Sequence, residues 1–283
     1  MKMETTRRGF LGATAGLAGL TAAGAIPAAA RIVPEPWGIK LGIATYSFRN
    51  FDRAKAIEMI KALQAPWISV KEAHLKYDST PEQLAQARKE FEAAGLKIMS
   101  GGNVSMPNDD PNDIRRYFEY AKNAGLPMMV CAPTHTNIKT VEKFVKEYNI
   151  RIAIHTHGPE DKQFPTPQTV LKVVHDLDPR CGLCMDVGHS IRAGADVVKS
   201  VSEAGDRLFD LHVKDLANLH ERDSQCDVGD GLIPFPELFK ALKKANFQGC
   251  VNLEYEIHPN DPLPGMQRSF SYMRGVLAGL AAA

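Results

Sequence analysis

The strongest constraint on the fold is a repeat of pattern rather than of letters. From Gly38 the chain alternates short apolar runs with amphipathic segments, the runs beginning near Ile39, Trp67, Leu96, Leu126, Ile150, Cys181, Leu208 and Gln248. Successive starts lie 24 to 31 residues apart, with a last step of about 40. The runs have strand length. The segments between them carry helical spacing: AKAIEMIKALQ, TPEQLAQARKEFEAAG, PNDIRRYFEYAKNAG, IKTVEKFVKEY, TPQTVLKVVHDL and FPELFKALKKA. Thr80-Pro81 through Gly95 shows the order of helix signals, a capping hydroxyl first, proline next and glycine last. A βα unit repeated eight times at this period predicts an α/β protein, a closed (β/α)8 TIM barrel, rather than an open sheet.

Four of the apolar runs end in side chains that bind metals or move protons. They are IRIAIHTHG (150–158), GLCMDVGH (182–189), LFDLHVKD (208–215) and CVNLEYE (250–256). Strand alternation puts Arg151, Ala153, His155 and His157 on one side and Ile152, Ile154 and Thr156 on the other. Active sites of such barrels lie at the C-terminal ends of the strands, so four such endings predict one shared site.

Residues 1–30 belong to a different class. Paired arginines in TTRRGFLG precede a weakly apolar, Ala/Gly-rich run to Ala30, which resembles a twin-arginine export signal with Ala28-Ala29-Ala30 as a cleavage site. The expectation is a signal peptide over 1–30, a single barrel over 31–283, and a periplasmic location with no membrane attachment after cleavage. Of 34 basic and 33 acidic residues, removal of Lys2, Arg7, Arg8 and Glu4 leaves 31 and 32, a net charge of −1 with His neutral. Such a balance provides no electrostatic footprint for nucleic acid or an anionic membrane. The five cysteines, an odd count, do not predict a disulfide framework. Cys181 and Cys184 form a CxxC, but residues three apart on a strand face opposite sides.

The order His-x-His-Gly, Met-Asp-Val-Gly-His, Leu-His-x-Lys-Asp, a Gly-Asp-Gly loop and Leu-Glu resembles the sugar phosphate isomerase/epimerase superfamily of xylose isomerase-like barrels over roughly residues 39 to 280. The resemblance implies one divalent metal held from strands five to eight, by His155, Asp186, His212 and Glu254. Two nitrogens and two oxygens suit Mn, Zn, Co or Fe better than Mg. Such an ion on a sugar carbonyl and its neighbouring hydroxyl stabilises the enediolate formed when the adjacent C–H proton leaves. Isomerisation, epimerisation and β-elimination all begin there. The epimerase pattern has Glu where this chain has His155, which sets aside a simple two-glutamate proton shuttle. A His-rich fifth strand resembles the inosose dehydratase branch, which eliminates water beside a ketone. The leading expectation is therefore a metal-dependent sugar or keto-sugar isomerase or epimerase; the alternative is a lyase on a keto-sugar using the same metal. Export favours a free or glycosidically linked keto-sugar over a phosphorylated one.

Other residues are assigned roles around that centre. Glu254, His157 and Glu72 are the acid/base candidates, and Tyr46, His74, His189, Lys214 and Arg222 the substrate-binding ones. His157 and His189 equally suit support of the metal ligands, and Lys214 equally suits pairing with Glu256. Glu72 and His74 share a face at the end of strand two, where pairing with Lys71 or Lys76 is the structural alternative. Arg222 lies on the long connection Leu216–Ile233, expected to form a lid that also carries His220, Glu221 and Gly229-Asp230-Gly231, a weak phosphate-loop candidate. The apolar run in Gln267–Leu280 suits packing on the barrel or on a second subunit of a homo-oligomer.

Overall fold

The computed structural model describes residues 36–283; the export signal expected over residues 1–30 lies outside the described residues. The barrel strands are β1 (Lys40–Ala44), β2 (Trp67–Val70), β3 (Lys97–Ser105), β4 (Met128–Ala132), β5 (Arg151–His155), β6 (Cys181–Asp186), β7 (Leu208–Val213) and β10 (Cys250–Leu253). They close in the order β1-β10-β7-β6-β5-β4-β3-β2, every pair parallel. Between β7 and β10 a two-residue hairpin, β8 (Asp215–Leu216) with β9 (Gln225–Cys226), organises the long connection.

The outer layer contains α1 (Arg53–Ala62), α2 (Pro81–Ala93), α3 (Pro111–Ala124), α4 (Ile138–Tyr148), α5 (Pro167–Val174), α6 (Val187–Arg192), α7 (Val197–Ala204), α8 (Phe235–Lys244) and α9 (Leu263–Ala282). Their starts follow local chemistry. Thr80 accepts from the Gln83 N–H while Gln83 returns a bond to Thr80, and Pro81 needs no donor at the first helical position. Two helices, α6 and α7, stand where the sequence patterns suggested none. Each is short and Gly194 lies between them, so neither shows a long apolar stripe.

The main core lies between strands and helices. Ile43, Ile68, Ile152, Leu183, Leu211 and Leu253 point outward from the sheet onto Phe91, Phe118, Phe239 and Phe270. Full burial of each such side chain contributes roughly 1.5–3 kcal/mol of transfer free energy. Helix α9 covers this core with Met266, Phe270, Met273 and Leu277, so its apolar face packs on its own barrel. Cys181 belongs to the outer cluster and Cys184 to the small interior one with Met128, Val130, Ala153 and Phe209. All five cysteines are free. No helix among the described residues is long and apolar enough to cross a membrane.

Candidate active site

Register brings the expected ligands to one height at the C-terminal mouth of the barrel. Asp186 is paired with His212 across β6 and β7, His155 ends β5, and Glu254 follows β10, its N–H bonded to the Val213 carbonyl. One ligand atom from each of His155, Asp186, His212 and Glu254 lies within 4.8 Å of the others, and all four residues are buried. His155 Nε2 is 3.0 Å from His212 Nδ1 and 3.8 Å from Asp186 Oδ2, and His212 Nδ1 is 3.4 Å from Glu254 Oε1. Bonds of about 2.0–2.2 Å to a single ion place neighbouring ligands about 3 to 3.6 Å apart, so this spacing suits one cation.

Asp186 divides its two oxygens. Oδ1 caps α6 by accepting the His189 N–H at 2.8 Å, whereas Oδ2 accepts no hydrogen bond, with Lys214 Nζ at 3.1 Å its charged neighbour. A buried carboxylate oxygen left without a donor is the kind of group a cation satisfies. Cys184 stands near the two imidazoles and could complete a smaller group with them. Burial pushes its thiol up to about 12, so it stays protonated and is the poorer ligand.

Lys214, just past β7, is buried among three carboxylates: Glu256 at 2.7 Å, Glu254 at 3.0 Å and Asp186 at 3.1 Å. Burial opposes its charge, but the three anions outweigh burial and hold its pKa well above the usual lysine range. Burial likewise opposes the Glu254 charge, and Lys214 and His212 hold it well below the usual carboxylate range. His155 is held well below the usual imidazole range, first by burial and then by His157 and His212 beside it. Neutral imidazole is the metal-binding form.

A cavity opens above this group, and Tyr46, His157, His189, Lys214 and Arg222 line it. His157 lies just beyond β5; its Nε2 is 2.8 Å from Asn103 Nδ2 and its Nδ1 3.5 Å from Asp161 Oδ2. Arg49 stacks on Tyr46 at 4.6 Å and donates to the Glu256 carbonyl.

The structure does not bring Glu72 or His74 to this cavity. Strand β2 ends at Val70 and the chain turns, with the His74 N–H on the Lys71 carbonyl, so the strand alternation behind both assignments stops short of them. Glu72 is exposed and sits 3.7 Å from Lys71 Nζ. His74 is buried between Thr45 Oγ1 at 3.0 Å and the Phe51 carbonyl at 3.2 Å, a structural linkage between β1 and the start of α1. Lys71 enters the cavity instead, its Nζ on the Asn103 carbonyl. Lys71, Asn103, Asp161, Arg192 and Gln225 line the cavity without having been singled out in the sequence. Of the long connection, Arg222 lines it and His220 and Glu221 do not. The Gly229 and Gly231 N–H groups both donate to Asp215 Oδ2, at 2.9 and 3.2 Å, so this turn has no free donors for a phosphate.

An eight-stranded parallel barrel with a His/Asp/His/Glu group at its C-terminal mouth defines the class. The chain belongs to the xylose isomerase-like TIM barrel family, whose model matches residues 51–276. The inosose dehydratase of Mesomycoplasma hyopneumoniae strain 7448 is 25% identical over 156 residues, covering 48% of this chain and 51% of that one. The chain thus spans about half the length of such curated relatives. Two solved structures show the same fold: 3-keto-D-glucoside 4-epimerase from E. coli (TM-score 0.68, 16% identity, 84% of this chain and 99% of that one) and D-psicose 3-epimerase from Clostridium cellulolyticum H10 (TM-score 0.69, 15% identity, 84% and 99%). Both neighbours are epimerases, whereas the curated relative is a dehydratase.

Proposed function

We propose that this protein is a divalent-metal-dependent isomerase or epimerase that moves a proton at the carbon beside the carbonyl of a non-phosphorylated sugar or keto-sugar. The observation that carries the reading is the four-residue ligand group beneath a polar cavity at the C-terminal mouth of a barrel. His155, Asp186, His212 and Glu254 would hold the ion, and two imidazoles favour Mn, Zn, Co or Fe over Mg. When bound, the ion supplies Lewis-acid polarisation of the carbonyl and its neighbouring hydroxyl.

The chain's own groups do the rest. Lys214 keeps Glu254 ionised: Oε1 lies on the His212 side and would serve the ion, and Oε2, 3.0 Å from the ammonium, is the oxygen left to exchange a proton. His157, fixed between Asn103 and Asp161, faces the same cavity and is the second proton carrier. Tyr46, Lys71 and His189 bind sugar hydroxyls around the reacting carbon. The paired Arg7-Arg8 signal supports work outside the cytoplasm, where sugar phosphates are scarce.

A lyase is the second reading, favoured by His155 in place of a strand-five glutamate and by the similarity to inosose dehydratase. Proton NMR in D2O separates the two. Solvent deuterium beside the carbonyl with an unchanged skeleton supports the isomerase or epimerase, and loss of water or of an aglycone supports the lyase. Glu254→Gln removes a ligand and a proton acceptor together. Turnover is expected to fall on the order of 10²-fold or more with the circular dichroism spectrum unchanged. Activity within a few-fold of wild type overturns the assignment.

A further inference from the structure

The long connection between β7 and β10 is fastened to the strand end that carries Glu254. Strand β7 ends at Val213, whose carbonyl takes the Glu254 N–H at 2.9 Å. From Asp215 the chain turns into β8, which pairs with β9, so the edge of β10 that faced β7 runs on past the end of its neighbour. The next two groups on that edge are the Glu254 carbonyl and the Glu256 N–H. One side chain meets both: Gln225 Nε2 donates to the Glu254 carbonyl at 3.0 Å, and Gln225 Oε1 accepts the Glu256 N–H at 3.2 Å.

The carbonyl of one residue and the N–H two residues later are the pair that a residue on a parallel neighbouring strand binds. The Gln225 amide therefore takes the place of a peptide group opposite Tyr255. Its orientation follows from its partners, because only the amide nitrogen can serve a carbonyl and only the oxygen an N–H. On the other edge the Ser47 hydroxyl does the same about Glu254, accepting the Tyr255 N–H at 2.9 Å and donating to the Leu253 carbonyl at 3.4 Å.

Held from both edges, residues 254–256 continue the alternation of the strand. Glu254 and Glu256 both turn to Lys214 Nζ, at 3.0 and 2.7 Å, while the Tyr255 hydroxyl between them donates to Asp227 at 2.6 Å. Asp227 stands two residues after Gln225 and is also bonded by Arg268 of α9. Asp215 accepts the Gly229, Gly231 and Ile233 N–H groups, so the segment from Gln225 to Ile233 is anchored along its length.

We propose that Gln225 is a positioning residue of the ion site: its amide holds the Glu254–Glu256 backbone so that both carboxylates face Lys214 and Glu254 stands beside His155, Asp186 and His212. This rests on the metal-site reading above and deepens it. Gln225 also lines the cavity, so contact with substrate is the competing role. Mn2+ alone and the metal-free protein separate the two, because neither involves a sugar.

Gln225→Met keeps the length of the side chain and removes both bonds. Mn2+ affinity, measured by electron paramagnetic resonance of the free ion, is expected to fall about 10- to 100-fold, the usual cost of losing a group that orients a ligand. In the 15N-labelled, EDTA-treated protein the Glu256 N–H should exchange with D2O on the order of ten-fold faster than in wild type. Tyr255→Phe is the comparison for general loosening: it removes the bond to Asp227 from the same connection and should lower the melting temperature in EDTA while keeping the wild-type Kd for Mn2+. An unchanged Kd in Gln225→Met, an unchanged Glu256 exchange rate, or an equal loss of affinity in Tyr255→Phe overturns the proposal. Failure of the wild-type protein to bind Mn2+ overturns the metal-site reading instead, and the Glu256 exchange rate then decides by itself whether Gln225 holds this backbone.

Discussion

Replacement of Lys214 by Met tests the electrostatic centre of the site. The side chain is 3% exposed, and its ammonium stands 2.7 to 3.1 Å from Glu256, Glu254 and Asp186. Asp186 is fully buried and Glu254 is 9% exposed, so two of the anions have little access to water. Removal of one partner from a buried ion pair costs about 3–5 kcal/mol, because the remaining charge is left uncompensated. In a domain of this size each kcal/mol shifts Tm by about 2–4 °C, so the chelator-treated variant should melt about 6 to 20 °C below chelator-treated wild type. A divalent ion at a hundred times its Kd returns about 2.7 kcal/mol to either protein. Without its ammonium the variant retains all three carboxylates, so Mn2+ should restore at least half of the loss. The assay is thermal denaturation followed by circular dichroism, with EDTA and with Mn2+. A chelator-treated variant melting within about 2 °C of wild type would refute the reasoning, because the carboxylates would then be neutral or hydrated without Lys214.

Two further outcomes are expected. Burial depresses the His74 pKa, and its Nδ1 already accepts from the Thr45 hydroxyl, which itself accepts the Lys71 N–H, so protonation breaks a bond. The unfolded chain therefore binds this proton more readily. The His74 contribution is fully present above pH 6.5 and is lost as pH falls from there toward its lower folded value, so His74→Gln should flatten the fall in urea-derived stability between pH 7.5 and 5. His155→Glu should bind Mn2+ without gaining turnover, as atomic absorption and the D2O assay would show; turnover above wild type would mean that strand five needs a carboxylate after all.

The barrel was legible because its evidence is periodic. Apolar runs at regular intervals survive errors of one or two residues at each end, and IKTVEKFVKEY coincides with α4 from Ile138 to Tyr148. The grouping of His155, Asp186, His212 and Glu254 was legible through the resemblance carried by the motif order, and the four side chains do meet because each stands at or just past the end of a barrel strand. Strand alternation ceased to hold beyond such an end on β2. Glu72 and His74 were assigned to a strand that had already ended at Val70, and the lysine between strand and turn, Lys71, took the place expected for them. Asn103 was missed because SGGNVS has no apolar alternation, although β3 extends through it to Ser105. Asp161 stands four residues after His157 in a segment with no regular pattern, and Arg192 comes from a six-residue helix that only the packing of the barrel brings beside Glu160. The Gly-Asp-Gly turn failed as a phosphate loop for a reason no motif carries: Asp215, fourteen residues before Gly229, occupies its N–H groups.

Histidine at the end of β5 also changes the charge count of the site. Asp186 and Glu254 are buried and Glu256 is partly exposed, and with Lys214 among them these three carboxylates and one ammonium sum formally to a charge that one divalent cation would bring to zero. Glutamate at position 155 would leave the loaded site one charge negative in a setting with little water to screen it. The histidine therefore favours a neutral loaded centre, and in doing so it gives up a carboxylate that could take a proton from the side of the sugar facing strand five. The nearest replacement is His157, whose ring lies 4.4 Å from that of His155 and whose two nitrogens face Asn103 and Asp161. In the proposed reaction the substitution on strand five thus moves the second proton carrier two residues along the chain, from the metal shell into the cavity wall.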